Sequence, residues 1–289
     1  VAHGKIMQIL FAYIGMVLLW ATTPLAIKWS VDGLGVLPSL TARMSVGLLC
    51  LFALLFFFKK RLPFTRVACL AYLAVAVQMY GAMAAVYWAA QFIPSGWISV
   101  ISGLAPLMTA ILAAIWLKER SLTAGKILSY VMGMVGLFVM FSSAGKLNST
   151  AAFGIVGVLG SLVLQAISAI GIKRVCSQLP VLTQVTGGLV FSMPLYYLTC
   201  ELAQTTMPLQ FSLISFLSML YLGIIATPMG FFLYYFLLSK RSATQVALVS
   251  LASPVLALWL GHSANHEPMT LQIIIGTTLI LLALVSHNR

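Results

Sequence analysis

The sequence predicts an all-α membrane protein of ten transmembrane helices arranged as two inverted five-helix repeats, and three observations predict it. The first is composition: of 289 residues, 62% are hydrophobic and 7% charged, against about 25% charged in a soluble domain. A chain of that kind cannot cover itself with polar surface, so lipid must be its solvent. The second is segmentation. A hydrocarbon core of about 30 Å takes roughly 20 helical residues to cross, and apolar runs fall at 8–28, 38–58, 67–92, 95–117, 124–143, 153–172, 181–200, 211–238, 243–262 and 269–286. Every gap between them is short, which leaves no room for a soluble domain. The third is internal repetition, taken up after the helices themselves.

The first run, 8–28, passes twenty residues and shows no small-residue cleavage site, so it is expected to stay in the mature chain as a helix rather than leave as a signal. From there the charges alternate. With the amino terminus inside, the inside segments hold Lys5, then Lys59, Lys60, Arg61 and Arg66, then Lys118, Arg120 and Lys126, then Lys173 and Arg174, then Lys240 and Arg241, and last Arg289, thirteen of the sixteen basic residues. The outside segments keep Lys28 and Lys146, and Arg43 lies within the second span. That bias places both termini in the cytoplasm. It also accounts for the net charge of +12, so no nucleic-acid partner is expected. Cys50, Cys69, Cys176 and Cys200 stand singly in or beside apolar runs, without the paired spacing of a disulfide framework or a zinc site.

Two stretches carry the repetition. LPSLT at Leu37–Thr41 answers LPVLT at Leu179–Thr183, each following a span that ends on a lysine, Lys28 or Lys173. Later, Pro106–Glu119 has the same length as Pro254–Glu267, and the same offset of 148 aligns Tyr87 with Tyr235 and Ser102 with Ser250. The halves are therefore 1–147 and 148–289. A unit of five spans contains an odd number, so its second copy must enter the membrane from the other side.

LLWATTPLAIK at Leu18–Lys28, LTAR at Leu40–Arg43 and the two proline-to-glutamate helices together resemble the drug/metabolite transporter superfamily, and within it the EamA-type exporters. The resemblance spans nearly the whole chain. It implies ten helices with both termini inside, a bacterial inner-membrane location, a central cavity lined mainly by the third and fourth helices of each half, and export of amino acids or other small metabolites. The sequence departs from that pattern at Ala21, where a glycine is usual, at Gln165, where a second Trp20 would stand, and at Val185, where a second Arg43 would stand.

Candidate cavity residues are Trp20, Arg43 and Gln165, then Gln78, Tyr80, Tyr87, Trp88, Trp97, Ser99 and Ser102 in spans three and four, and Tyr234, Tyr235, Gln245 and Ser250 in their second-half equivalents. A site for a zwitterion or an aromatic metabolite needs flat apolar walls and a few hydrogen-bonding groups. Tryptophan and tyrosine also form interfacial belts, and Ser or Gln also link neighbouring helices. Arg43 sits five residues beyond Pro38, about 7–8 Å into its span. It either snorkels to the interface or is buried against a partner such as a substrate carboxylate or a helix end.

The four acidic residues, Asp32, Glu119, Glu201 and Glu267, all fall near span ends. Coupling to protons or sodium normally uses a carboxylate inside the membrane, so facilitated movement down a gradient is favoured over carboxylate-driven antiport. Glu119 and Glu267 close matching helices, where the dipole disfavours them; each acts as a gate or a lock against a neighbouring helix start, or is a solvated charge. Lys28 joins them as a gate or structural residue. Pro106, Pro228 and Pro254 mark weak points that serve as hinges or pack passively.

Three functions compete. A carrier rocks two halves around the cavity. A flippase for a lipid or a lipid-linked sugar, the alternative within the superfamily, needs basic groups for a phosphate, and only Arg43 lies inside a span. An intramembrane enzyme needs a nucleophile or a metal cluster; His262, His266 and Glu267 come nearest, and only if their turn is helical. No enzyme activity and no cofactor are expected. The partners are a small-molecule substrate and membrane lipid, with the chain a monomer or weak homo-oligomer.

Overall fold

The computed structural model describes residues 2–116, 124–142, 150–175, 178–205, 208, 211–241, 246 and 253–287. Among them the regular structure is helical: α1 Ala2–Leu34, α2 Val36–Phe57, α3 Arg66–Ala89, α4 Ser95–Trp116, α5 Ala124–Ser142, α6 Ala151–Val175, α7 Val181–Leu202, α8 Leu213–Lys240, α9 Ser253–Asn265 and α10 Leu271–His287. Seven of these, α1 to α4 and α6 to α8, are long and apolar enough to cross a membrane, counting only the described residues. Large apolar side chains such as Phe11, Phe56 and Phe138 point outward and exposed, which suits a surface wetted by lipid and not one wetted by water.

Local chemistry sets the ends. α1 continues past Lys28 until Gly35, whose φ of +81° only glycine adopts without strain. Thr65 and Ser212 cap α3 and α8 by accepting from the amides of Ala68 and Ser215. α2 and α7 both stop on a left-handed residue, Lys59 and Gln204, and in both the next amide turns back to bond the helix, Lys60 to Leu55 and Thr205 to Cys200. The two helices share their length of 22 residues. Their starts, 36 and 181, and their stops, 57 and 202, both differ by 145. That register sets Arg43 opposite Gly188, not opposite Val185 as the LPSLT and LPVLT match implies, because Pro38 lies inside the first turn of α2 whereas Pro180 precedes α7.

Both third helices are interrupted by a π turn, Val77–Ala82 in α3 and Leu222–Ala226 in α8. In α8 the turn ends just before Pro228, which cannot donate to a carbonyl one turn back. α4 breaks at Gly103–Leu104 ahead of Pro106 for the same reason.

In lipid, helices associate by close packing rather than by escape from water, and glycines make the approach here. Gly187 of α7 lies against the Tyr72 ring of α3, Gly47 of α2 against Thr227 of α8, and Gly136 of α5 against the Gly276 carbonyl of α10. Pairings run α1 with α8 and α3 with α6, α2 with α8 and α3 with α7, and α1 with α9 and α4 with α6; α2 pairs with α7, α4 with α9 and α5 with α10. Exchanging each helix for the one five places along returns these pairings, whereas the packing of α1 on α4 has no comparable α6–α9 counterpart among the described residues.

Candidate functional site

The pairing of α1, α2, α3 and α4 with α6, α8 and α9 leaves a hollow between them. It is a cavity of about 120 Å³, several times the space that one buried water needs. Arg43 and Gln78, the aromatic Trp20, Phe231 and Tyr234, and the polar Ser99, Ser102, Ser161 and Gln165 all line it. Trp20 and Tyr234, one from each half of the chain, stack at 6.0 Å with 26° between their planes. The walls are thus largely apolar with a few polar groups, the make-up of a small-molecule pocket.

Arg43 is the charged member. It is 3% exposed, so it does not snorkel to an interface. Its Nε donates to Thr227 Oγ1 at 2.8 Å and Nη1 to the Tyr87 hydroxyl at 3.3 Å, with the guanidinium 5.7 Å from the centre of the Tyr87 ring. Thr227 reaches it because Gly47 and Gly223 let α2 and α8 approach. Gln78 belongs to the π turn of α3 and accepts from the Tyr235 hydroxyl at 2.8 Å, which shares a second bond with Ser168 at 2.9 Å.

Of the residues expected in the cavity, Trp20, Arg43, Gln78, Ser99, Ser102, Gln165 and Tyr234 line it. Tyr87 and Tyr235 stand one layer behind and hold Arg43 and Gln78. Three lie elsewhere. Trp88 is 41% exposed on the outer surface against Phe92 and Phe153. Tyr80 turns toward α7, bonding Thr199 at 2.6 Å and meeting Tyr196 edge-on. Trp97 is sealed in the core with its indole N–H unpaired. Gln245, Ser250 and Glu119 lie outside the described residues. Thr23, Pro24 and Ile27 also line the cavity; they follow Trp20 at the three, four and seven spacing of a single helix face, the signal that could have found them. Ser161 likewise stands one turn before Gln165.

One end of the bundle is bolted by charge. The Glu267 carboxylate is buried, not solvated, and accepts from the amides of Ser95 at 2.8 Å and Gly96 at 3.0 Å at the start of α4, where the helix dipole favours an anion. Asn265 donates to it at 3.2 Å and is held by Trp29, and the Glu267 carbonyl lies 2.9 Å from His262 Nδ1. Lys28 donates to the last carbonyl of the α3 turn, Ala90, at 2.7 Å. At the opposite end Lys173 does the same for α8, donating to the carbonyls of Leu238 and Arg241. Pro228 is buried within α8 just after its π turn, Pro254 is buried in the first turn of α9, and Pro106 lies in the first turn of the second part of α4; none of the three lines the cavity.

The EamA-like transporter family matches this sequence twice, over residues 7–142 and again over 152–288. The chain belongs to the EamA-like transporter family. It is similar to an uncharacterized transporter of Archaeoglobus fulgidus, 30% identical over 92% of this chain and 93% of the relative. YoaV, an uncharacterized transporter of Bacillus subtilis, is 23% identical over 94% of each. A probable terminal-alkyne amino-acid exporter of Streptantibioticus cattleyicolor is 25% identical over 89% of this chain and 87% of the relative. A solved crystal structure matches 97% of each chain with a TM-score of 0.71 at 17% identity, a likeness of fold. This EamA-family chain is therefore a multi-pass membrane transporter.

Proposed function

We propose that this chain exports small metabolites such as amino acids by alternating access, with ten transmembrane helices forming two inverted halves, 1–147 and 148–289, around the central cavity. The observation that carries the reading is the cavity itself, since helices of both halves line it and a rocking of one half against the other would open it to either side in turn. Helix pairings that return on a five-place exchange support the inverted arrangement. The amino-acid exporter of Streptantibioticus cattleyicolor supports the class of cargo. Lys60 and Arg61 lie beside the start of α7, and Lys173 beside Arg241. This gathering of basic residues at one end supports cytoplasmic termini in a bacterial inner membrane.

No acid stands among the described residues that line the cavity, which supports movement down a gradient rather than coupling through a titrating carboxylate. Arg43, the one cation among them, is buried on neutral partners, a poor match to the basic groups that a lipid phosphate needs.

Counterflow of labelled amino acids into proteoliposomes, with and without a pH gradient, tests the reading. A side chain at Gly230 is the matching block: the residue lines the cavity, and a Cβ placed there meets nothing within 4 Å. Gly230→Leu is expected to keep the fold and lower transport about tenfold or more. Transport unchanged by Gly230→Leu would put the route elsewhere, and strict dependence on the pH gradient would defeat uncoupled movement.

A further inference from the structure

We propose that the cavity selects its cargo by a carboxylate, which binds to Arg43, so that amino acids and small organic acids are taken while their amides and decarboxylated amines are refused. The proposal rests on the transport reading above and names the chemistry that the same cavity recognises.

A guanidinium 3% exposed within a membrane protein needs compensation, and intramembrane ions without a protein partner mark substrate pathways. Among the described residues the sole ion pair joins Lys28 and Asp32, at 3.9 Å. Glu267 is taken up by the start of α4, Glu201 is exposed at the end of α7, and Glu119 lies outside the described residues. The contacts Arg43 does make, the Thr227 hydroxyl and the hydroxyl and ring face of Tyr87, carry no negative charge. They fix the guanidinium in place without cancelling its charge.

Its donors point the same way. Arginine carries five N–H groups, and two are engaged, one on Nε and one on Nη1. The remaining three include both on Nη2, and Arg43 borders the cavity. Arg43 thus keeps unengaged donors for a carboxylate, with which arginine favours a two-bond fork. Gln78 lines the same cavity. Its Oε1 is occupied by Tyr235, which leaves the Nε2 donors for a second contact with the anion.

The rest of the cavity fits the body of such a molecule. Trp20, Phe231 and Tyr234 give it an aromatic wall. Gln165 lines the cavity and makes no hydrogen bond to a described residue, so it can accept from an ammonium group, and the aromatic faces attract one too. An amine lacking the carboxylate would instead bring a second positive charge to a pocket where Arg43 meets no acid among the described residues. An amide would leave the guanidinium charge unanswered.

The test uses the full chain in proteoliposomes, with counterflow of labelled phenylalanine and leucine competed by the unlabelled acids, amides, decarboxylated amines and deaminated acids of each. Amino acids and deaminated acids should compete, with amides and amines weaker by more than about tenfold. Arg43→Lys, which keeps the charge but loses the fork, should weaken carboxylate competition, and Arg43→Met should abolish the preference for acid over amide. If Arg43→Met does not fold, Thr227→Val and Tyr87→Phe should each lessen that preference while the chain still melts cooperatively. Equal competition by acids, amides and amines overturns the carboxylate assignment and leaves transport standing. Wild-type preference for acids that survives Arg43→Lys and both positioning variants overturns the role of Arg43. No movement of any probe, with Gly230→Leu also without effect, overturns the transport reading and this proposal with it.

Discussion

An acidic side chain buried in so apolar a chain needs a reason, and Glu267 has one. Two backbone amides of α4 and the amide of Asn265 surround its carboxylate, so the turn between α9 and α10 is tied to the start of α4. Lys28 ties the same α3–α4 turn from the other side through Ala90. Hydrogen bonds to a charged group contribute about 1.5–3 kcal/mol each way they are tested. Glu267→Ala is therefore expected to lower the unfolding temperature of the purified protein, with Glu267→Gln lowering it less because one acceptor oxygen remains. An unchanged melting temperature in both would leave the bolt without energetic weight. The sequence could offer this lock, because a carboxylate that ends its own helix against the dipole is better placed at the start of another. It could not place the aromatic residues. Trp88 comes ten residues after Gln78 and falls on the far side of α3 from Gln78, Ala82 and Val86. Residue type alone says nothing of that phase.

Helices as elements were far more legible than their faces. Apolar length placed them to within a few residues wherever the residues are described, the start of the span expected at 243–262 lying outside them; α1 runs on to Leu34 before Gly35 stops it, and a π turn is inserted in α3 and α8. A π turn has no apolar signature, since it adds one residue to a turn without changing composition. Close helix contacts were equally hidden, because a glycine in an apolar run reads the same whether or not another helix rests on it. Gly187 and Gly160 separate the two cases. A Cβ at Gly187 would fall on the Tyr72 ring, whereas one at Gly160 meets nothing within 4 Å. Gly187→Leu should cost about 1–3 kcal/mol of stability by overpacking α3 against α7, and Gly160→Leu should leave the melting temperature near wild type. Equal effects of the two would mean that α3 and α7 do not rest on that glycine.

For the molecule as a whole, the doubled family match and the exchangeable pairings agree with a chain built twice. The match of Pro106–Glu119 to Pro254–Glu267 reaches outside the described residues at Glu119, and the match of LPSLT to LPVLT, offset by 142, misses the register of α2 and α7, whose ends differ by 145 residues. The cavity arises where the halves have diverged. Trp20 lines it from α1 and Gln165, 145 residues on, from α6, so the two helices offer it different chemistry. If the halves rock, a residue on that wall must meet each side of the membrane in turn. The direct measurement is labelling of Ser161→Cys, a cavity residue, by a membrane-impermeant maleimide in vesicles of known orientation, with Cys50, Cys69, Cys176 and Cys200 replaced. Labelling from both faces, reduced by Gly230→Leu, is the predicted result; labelling from one face alone under every condition, or from neither, would contradict it.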